Sequence, residues 1–145
     1  MNNIFSSKKI RSLTLGFLAL SFFSVSVTHA QFVTGQAADL VIGQPDFTTI
    51  TTGTSANKFN GPYGLAIHPI SGKFYVSDGS NNRVLRYPAI LATGMDAEAV
   101  LAQTDFTSST SGLSASKITF SSGSSFDSQG NLWVADFSNR RVLLF

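Results

Sequence analysis

Asp78, Asn81 and Arg83 lie close together in YVSDGSNNRVLRY (75–87), and the same three types return as Asp136, Asn139 and Arg141 in WVADFSNRRVLLF (133–145). Either this set performs one piece of chemistry at two sites, or it builds one structural part twice. Catalytic groups need no copy in every unit, whereas folding parts do. A carboxylate at a strand end can accept backbone N–H bonds from the following turn. Asn81 and Asn139 suit a left-handed backbone position in that turn. Arg83 and Arg141, on the outgoing strand, can reach across the hairpin or to a neighbouring sheet through charge-assisted bonds. All six are therefore expected to be hairpin parts.

Other residues with chemical potential read the same way. Asp46 and Asp105 form an equivalent pair, but acid/base work needs two carboxyls in different environments. Phe47 and Phe106 beside them are expected to peg long Thr/Ser-rich connections to the body of the fold. His68 precedes Pro69 and is expected to be a polar residue at a strand end; one imidazole cannot make a histidine-rich metal set. Trp133 aligns with Tyr75 and is expected to pack within its sheet. Cysteine is absent, which removes disulfides, thiolate nucleophiles and sulfur-rich metal sites. There is neither a Ser/His/Asp set nor a Gly-rich phosphate cradle. No cofactor or metal is expected.

The elements that position these residues begin after residue 30. Lys8, Lys9 and Arg11 precede the apolar run Leu13–Val27, and Thr28 and Ala30 supply small residues before Gln31. That order reads as a secretory signal, residues 1–30, and the run is short for a membrane span. Without it, seven basic and eight acidic residues remain, a net charge of −1. Nucleic-acid binding, which needs many phosphate-neutralising cations on one surface, is not expected. Nor is a membrane span after the signal.

The remainder, 31–145, is a tandem repeat. ADLVIGQPDFTTITTGTSANKF (38–59) aligns with AEAVLAQTDFTSSTSGLSASKI (97–118) at a spacing of 59. Downstream the spacing falls to 58, because HPISG in the first copy becomes DSQG in the second. Turns absorb such length changes more easily than strands. Short apolar runs separated by Gly, Pro, Asn and Ser predict strands at 64–68, 73–77, 83–87 and 98–103, then 123–127, 131–135 and 141–145. DLVIG (39–43) is predicted as a further strand of the fourth type. The boundaries are 38–60 for that strand and a long loop, 61–103 for the first blade, 104–120 for a second long loop, and 121–145 for an incomplete second blade. A repeat near sixty residues with several strands per unit predicts an all-β fold, a partial β-propeller of about two four-stranded antiparallel blades.

GPYGLAIHPISGKFYVSDGSNNRVLRY (61–87) resembles the NHL repeat, and GSSFDSQGNLWVADFSNRRVLLF (123–145) keeps Gly123, Asp127, Gly130, Asp136, Asn139, Arg141 and Val142 of its pattern. Ser121 and Ser122 replace Pro62 and Tyr63, and His68 stands where the second copy has Asp127. The resemblance implies a ring of about six blades, so further blades are expected beyond this chain. It also implies that the long connections and the DGSNNR and DFSNRR turns share one face. Tyr63, Phe137 and Arg140 differ between the copies there and are the candidate ligand contacts. The function expected is a secreted or periplasmic binding or scaffold module for a protein, peptide or carbohydrate. The alternative is a lyase- or lactonase-like propeller enzyme whose metal and catalytic residues lie in other blades.

Overall fold

Seven short strands form among the residues that the computed structural model describes, 32–145, several of them in runs such as FYVSD, RVLRY and LWVAD that are rich in β-branched and aromatic side chains. The expected signal segment, 1–30, lies outside the described residues. The chain divides into the units Met1–Gln36 and Ala37–Phe145, and every strand among the described residues lies in the second. The first sheet is β1 (Pro62–Ile67), β2 (Phe74–Asp78), β3 (Arg83–Tyr87) and β4 (Ala99–Leu101). The second is β5 (Ser121–Phe126), β6 (Leu132–Asp136) and β7 (Arg141–Leu144). Each strand pairs antiparallel with its sequence neighbour, so both sheets are meanders in the manner of adjacent, partial-propeller blades.

The repeat survives in fine detail. Pro62 pairs with Asp78 across an irregularity before Gly64, and Ser121 pairs with Asp136 across the same irregularity before Gly123. That shift lets β1 and β5 each start two residues earlier than the predicted strands. The fourth strand is shorter than predicted, because Ala102 adopts a φ of 66° and ends the ladder after Leu101.

Residues 39–43 do not form the predicted strand. A fourth strand needs a third to pair with, as β4 pairs with β3. Among the described residues no such strand lies beside 39–43. The segment instead bonds to the loop after β3, where Val41 N–H donates to Thr93 Oγ1 and Gly94 N–H to Val41 O. Its Ile42 still packs on the first sheet.

The two sheets stack face to face. Ala66 and Val84 from the first meet Leu132 and Val134 from the second, with Ile118 and Ala102 from the connection between them. Backbones approach closely where β1 passes β5: a Cβ on Gly64 would stand 2.6 Å from Gly123 Cα, so only glycine fits there. The opposite face of the first sheet carries Val76, Leu85 and Tyr87, covered by Phe59, Ile42 and Ala97. Burying such side chains contributes roughly 1.5–3 kcal/mol each.

Candidate functional site

Both long connections and both β2–β3-type turns gather at one end of the sheets. Gly79 N–H donates to Gly61 O (2.9 Å) and Ser80 N–H to Asn60 O (3.0 Å). The second copy repeats this with Phe137 N–H to Phe120 O (3.2 Å) and Ser138 N–H to Thr119 O (3.1 Å). The shared face implied by the NHL resemblance is thus built from paired backbone bonds.

The repeated carboxylates sit under this face. Asp78 Oδ1 accepts the Asn60 N–H at 2.7 Å, while Oδ2 accepts from Asn81 Nδ2 and Arg83 Nε, each at 2.8 Å. Asp136 accepts from Thr119 N–H (2.7 Å), Asn139 Nδ2 (2.9 Å) and Arg141 Nε (2.7 Å). Two expectations need correction. The backbone donor comes from the segment ahead of the first strand, 18 residues upstream of Asp78, and not from the following turn. The left-handed residues are Asn82 and Arg140, both at φ 55°, and not Asn81 and Asn139. In the first copy a 3-10 turn occupies Gly79–Asn81, so the reversal falls one position later. Asn81 and Asn139 instead turn their amides to Gly53 O (2.8 Å) and Gly112 O (2.9 Å) in the long connections.

Arg83 completes the staple. Its Nη1 donates to Thr54 O and Phe106 O, and its Nη2 to Ser55 O and Lys58 O. With the bond to Asp78, all five N–H donors of the guanidinium are used. Arg141 likewise holds Ser114 O and Lys117 O. For Asp136, burial raises the carboxyl pKa, but the bonds from Thr119, Asn139 and Arg141 outweigh it and hold the group below its usual range. All six side chains are engaged in these ties, with Arg83 fully used and Arg141 Nη1 without a bond among the described residues. They tie loops to sheets.

Asp46 and Asp105 each cap their own exposed loop. Asp46 accepts from the N–H and hydroxyl groups of Thr48 and Thr49, and Asp105 does so from Thr107 and Ser108. The Thr48 bonds foremost lower Asp46 to about 2, and the hydroxyls of Thr107 and Ser108 push Asp105 further below the usual range. Phe106 is the expected peg, half-buried against the Phe59–Tyr87 core, where Arg83 grips its carbonyl. Phe47 is not: it has no such tie among the described residues and is 57% exposed.

At the other end of the sheets, His68 and Asp127 do one job with different chemistry. His68 Nδ1 accepts from Ile70 and Ser71 N–H at 3.2 and 3.1 Å. Asp127 Oδ1 accepts from Gln129 and Asn131 N–H at 3.0 and 2.9 Å. Side-chain bonds from Asn131 and Trp133 help to lower Asp127 to about 2. Trp133 is more exposed than a packing residue would be, since nothing among the described residues covers its side of the sheet. Its Nε1 still donates to Asp127 at 3.0 Å. Among the described residues no three His, Asp or Glu side chains gather as metal ligands, and no helix is long and apolar enough to cross a membrane.

What remains at the loop face is aromatic. The Tyr63 and Phe120 rings meet edge-on with centroids 4.7 Å apart, and Phe120 meets Phe137 at 6.1 Å. Tyr63 and Phe137 are both exposed. Arg140 is exposed on the same turn as Phe137. The structure thus brings together two of the three predicted contacts through a third ring that the sequence reading passed over. Phe120 stands at the position of Gly61, and both are left-handed, at φ 57° and 75°. A left-handed backbone costs a residue with a Cβ roughly 1–2 kcal/mol. The repeat alignment held this signal: a phenylalanine where the first copy has glycine.

The aromatic positions exchange between copies. The first has Gly61, Tyr63 and Gly79; the second has Phe120, Ser122 and Phe137. A Cβ on Gly79 would lie 2.9 Å from the Tyr63 ring, so a large side chain at either place excludes one at the other. No family model matches this sequence, and no curated protein matches it either.

Proposed function

We propose that this chain is part of an exported NHL-type β-propeller and acts as a binding module, with Tyr63, Phe120 and Phe137 as its contact row and Arg140 at the rim. The observation that carries this reading is Phe120. A ring is kept on a backbone that favours glycine, and backbone outliers of this kind gather at functional sites. It joins two exposed rings into a continuous apolar strip bordered by Thr- and Ser-rich loops. Such a strip offers ring faces to a sugar or to peptide side chains, and recognition commonly lies on loops held by a rigid scaffold. The staple residues beneath provide the rigidity. Export follows from the tripartite segment ending at Ala30.

The test is an NMR titration of the exported chain with a chitin hexasaccharide and with a mixed decapeptide pool. Shifts should centre on the amides of Tyr63, Phe120 and Phe137, and Phe120→Gly should abolish them while leaving the melting temperature within a few degrees. Perturbation confined to the opposite end, near Ile70 or Met95, would remove the site from this face. N-terminal sequencing of exported protein should begin at Gln31.

A further inference from the structure

Tyr63 and Phe120 meet where the two sheets adjoin, Tyr63 on β1 and Phe120 one residue ahead of β5. Both walls of the notch between them therefore lie within the chain. Tyr63 rests against Gly61 and Gly79, where a Cβ would stand 3.3 and 2.9 Å from its ring carbons. Two bare glycines leave the room that this ring fills. Were the second copy spelled like the first, glycine would stand in place of Phe120 and the notch would have one wall.

The shape of the notch and its polar groups both select a ligand. The Tyr63 and Phe120 planes stand at 63° to each other, and those of Phe120 and Phe137 at 61°. The row is therefore corrugated: each ring turns an edge to its neighbour, and no flat platform of parallel faces is offered to a pyranose chain. A saccharide also presents hydroxyls that need acceptors as well as donors. The carboxylates beneath this face, Asp78 and Asp136, are fully buried and turned to internal donors. The Asn82 amide is spent on both sides, on Phe120 N–H and on Ser109 O. Tyr63, by contrast, is 60% exposed, and its hydroxyl can donate to a carbonyl. A polyproline II segment matches these features. It has no internal hydrogen bonds, so its carbonyls stay open to a donor, and proline has no N–H to leave unpaired against an apolar wall. Such segments dock on aromatic-lined grooves at low entropic cost, because they are already extended.

Given the aromatic row as the binding face, we infer that its ligand is a proline-rich peptide segment in the polyproline II conformation. One proline ring seats between Tyr63 and Phe120, and the Tyr63 hydroxyl donates to a peptide carbonyl beside it.

An NMR titration of the full exported chain with decaproline tests this, beside a glycine–serine decapeptide and a chitin hexasaccharide. Decaproline should shift the Tyr63 and Phe120 amides saturably, and the other two should not. Tyr63→Phe, which keeps the ring and removes the hydroxyl, should weaken decaproline about fivefold, the worth of one hydrogen bond. Phe120→Leu, which keeps an apolar side chain but removes the ring, should weaken it about tenfold. Should Phe120→Leu fail to fold, the Tyr63→Phe difference decides, since that substitution leaves the packing of the ring in place. Decaproline that leaves these amides unmoved, or that binds wild type and Tyr63→Phe alike, would overturn the inference. If the hexasaccharide or the glycine–serine peptide shifts the same amides as strongly, the aromatic row stands as a binding face and the polyproline assignment falls. If every ligand acts only near Ile70 or Met95, the binding face falls with it.

Discussion

Arg83 and Arg141 make the same bond to the same kind of carboxylate, yet the first is fully buried and the second has 27% of its side chain exposed. Sequence identity is complete at this level; the surroundings differ. Arg83 is covered by the connection after β4, whose Phe106 carbonyl accepts one of its N–H groups. Arg141 has no following connection over it among the described residues. The same charged staple is therefore an interior part in one copy and half a surface part in the other.

The largest expected effect follows from this contrast. Arg83→Ala leaves the Asp78 charge buried without its cation, which costs about 3–5 kcal/mol, whereas Arg141→Ala should cost only about 1–2 kcal/mol, because Arg141 is itself part-exposed and its removal opens the buried Asp136 to water. Urea unfolding of the two variants measures the difference, and equal losses would break the comparison. Next in size is the left-handed pair. Gly61→Ala should cost roughly 1–2 kcal/mol through its backbone. Phe120→Gly should change stability by less than about 1 kcal/mol, since relief of the same strain offsets edge-to-face contacts of about 0.5–1.5 kcal/mol each. A large loss at Phe120 in thermal melts would make it chiefly a packing residue.

The turns at the other end separate by pH. Asp127 has a depressed folded-state pKa of about 2, so its contribution is fully present above the ordinary aspartate value near 3.9 and is lost as the pH falls through about 2. Amide exchange at Gln129 and Asn131 should accelerate across that window, and Asp127→Asn should flatten the profile. Ile70 and Ser71, held by an imidazole, should acquire the same acid profile in His68→Asp. The smallest effect concerns Arg140. Its equivalent Asn82 both accepts from Phe120 N–H (2.9 Å) and donates to Ser109 O (2.8 Å) in the next connection. A guanidinium donates but cannot accept, so Arg140 can make only half of that tie. Arg140→Asn should change stability by less than about 0.5 kcal/mol, since the residue is exposed on its turn, and thermal melts check this.

By itself the sequence determined what is local. Alternation and turn residues placed seven strands to within about two residues, and the repeat spacing identified the two sheets as one unit made twice. These patterns are legible because strand pleating and tight turns depend on residues a few positions apart. What required the tertiary structure was every contact between distant segments. The donor to Asp78 comes from Asn60, a residue with no marker of its own. DLVIG has the composition of a strand but lacks a ladder to join, so it lies as a bent cover on the first sheet. Phe47 and Phe106 occupy equivalent positions, and only the presence of Arg83 behind one of them decides which is drawn inward. Phe120 became visible as the middle of an aromatic row only when the loops from two copies were brought side by side. Propensity is written along the chain, but burial and hydrogen-bond partners are set by which segments meet in space.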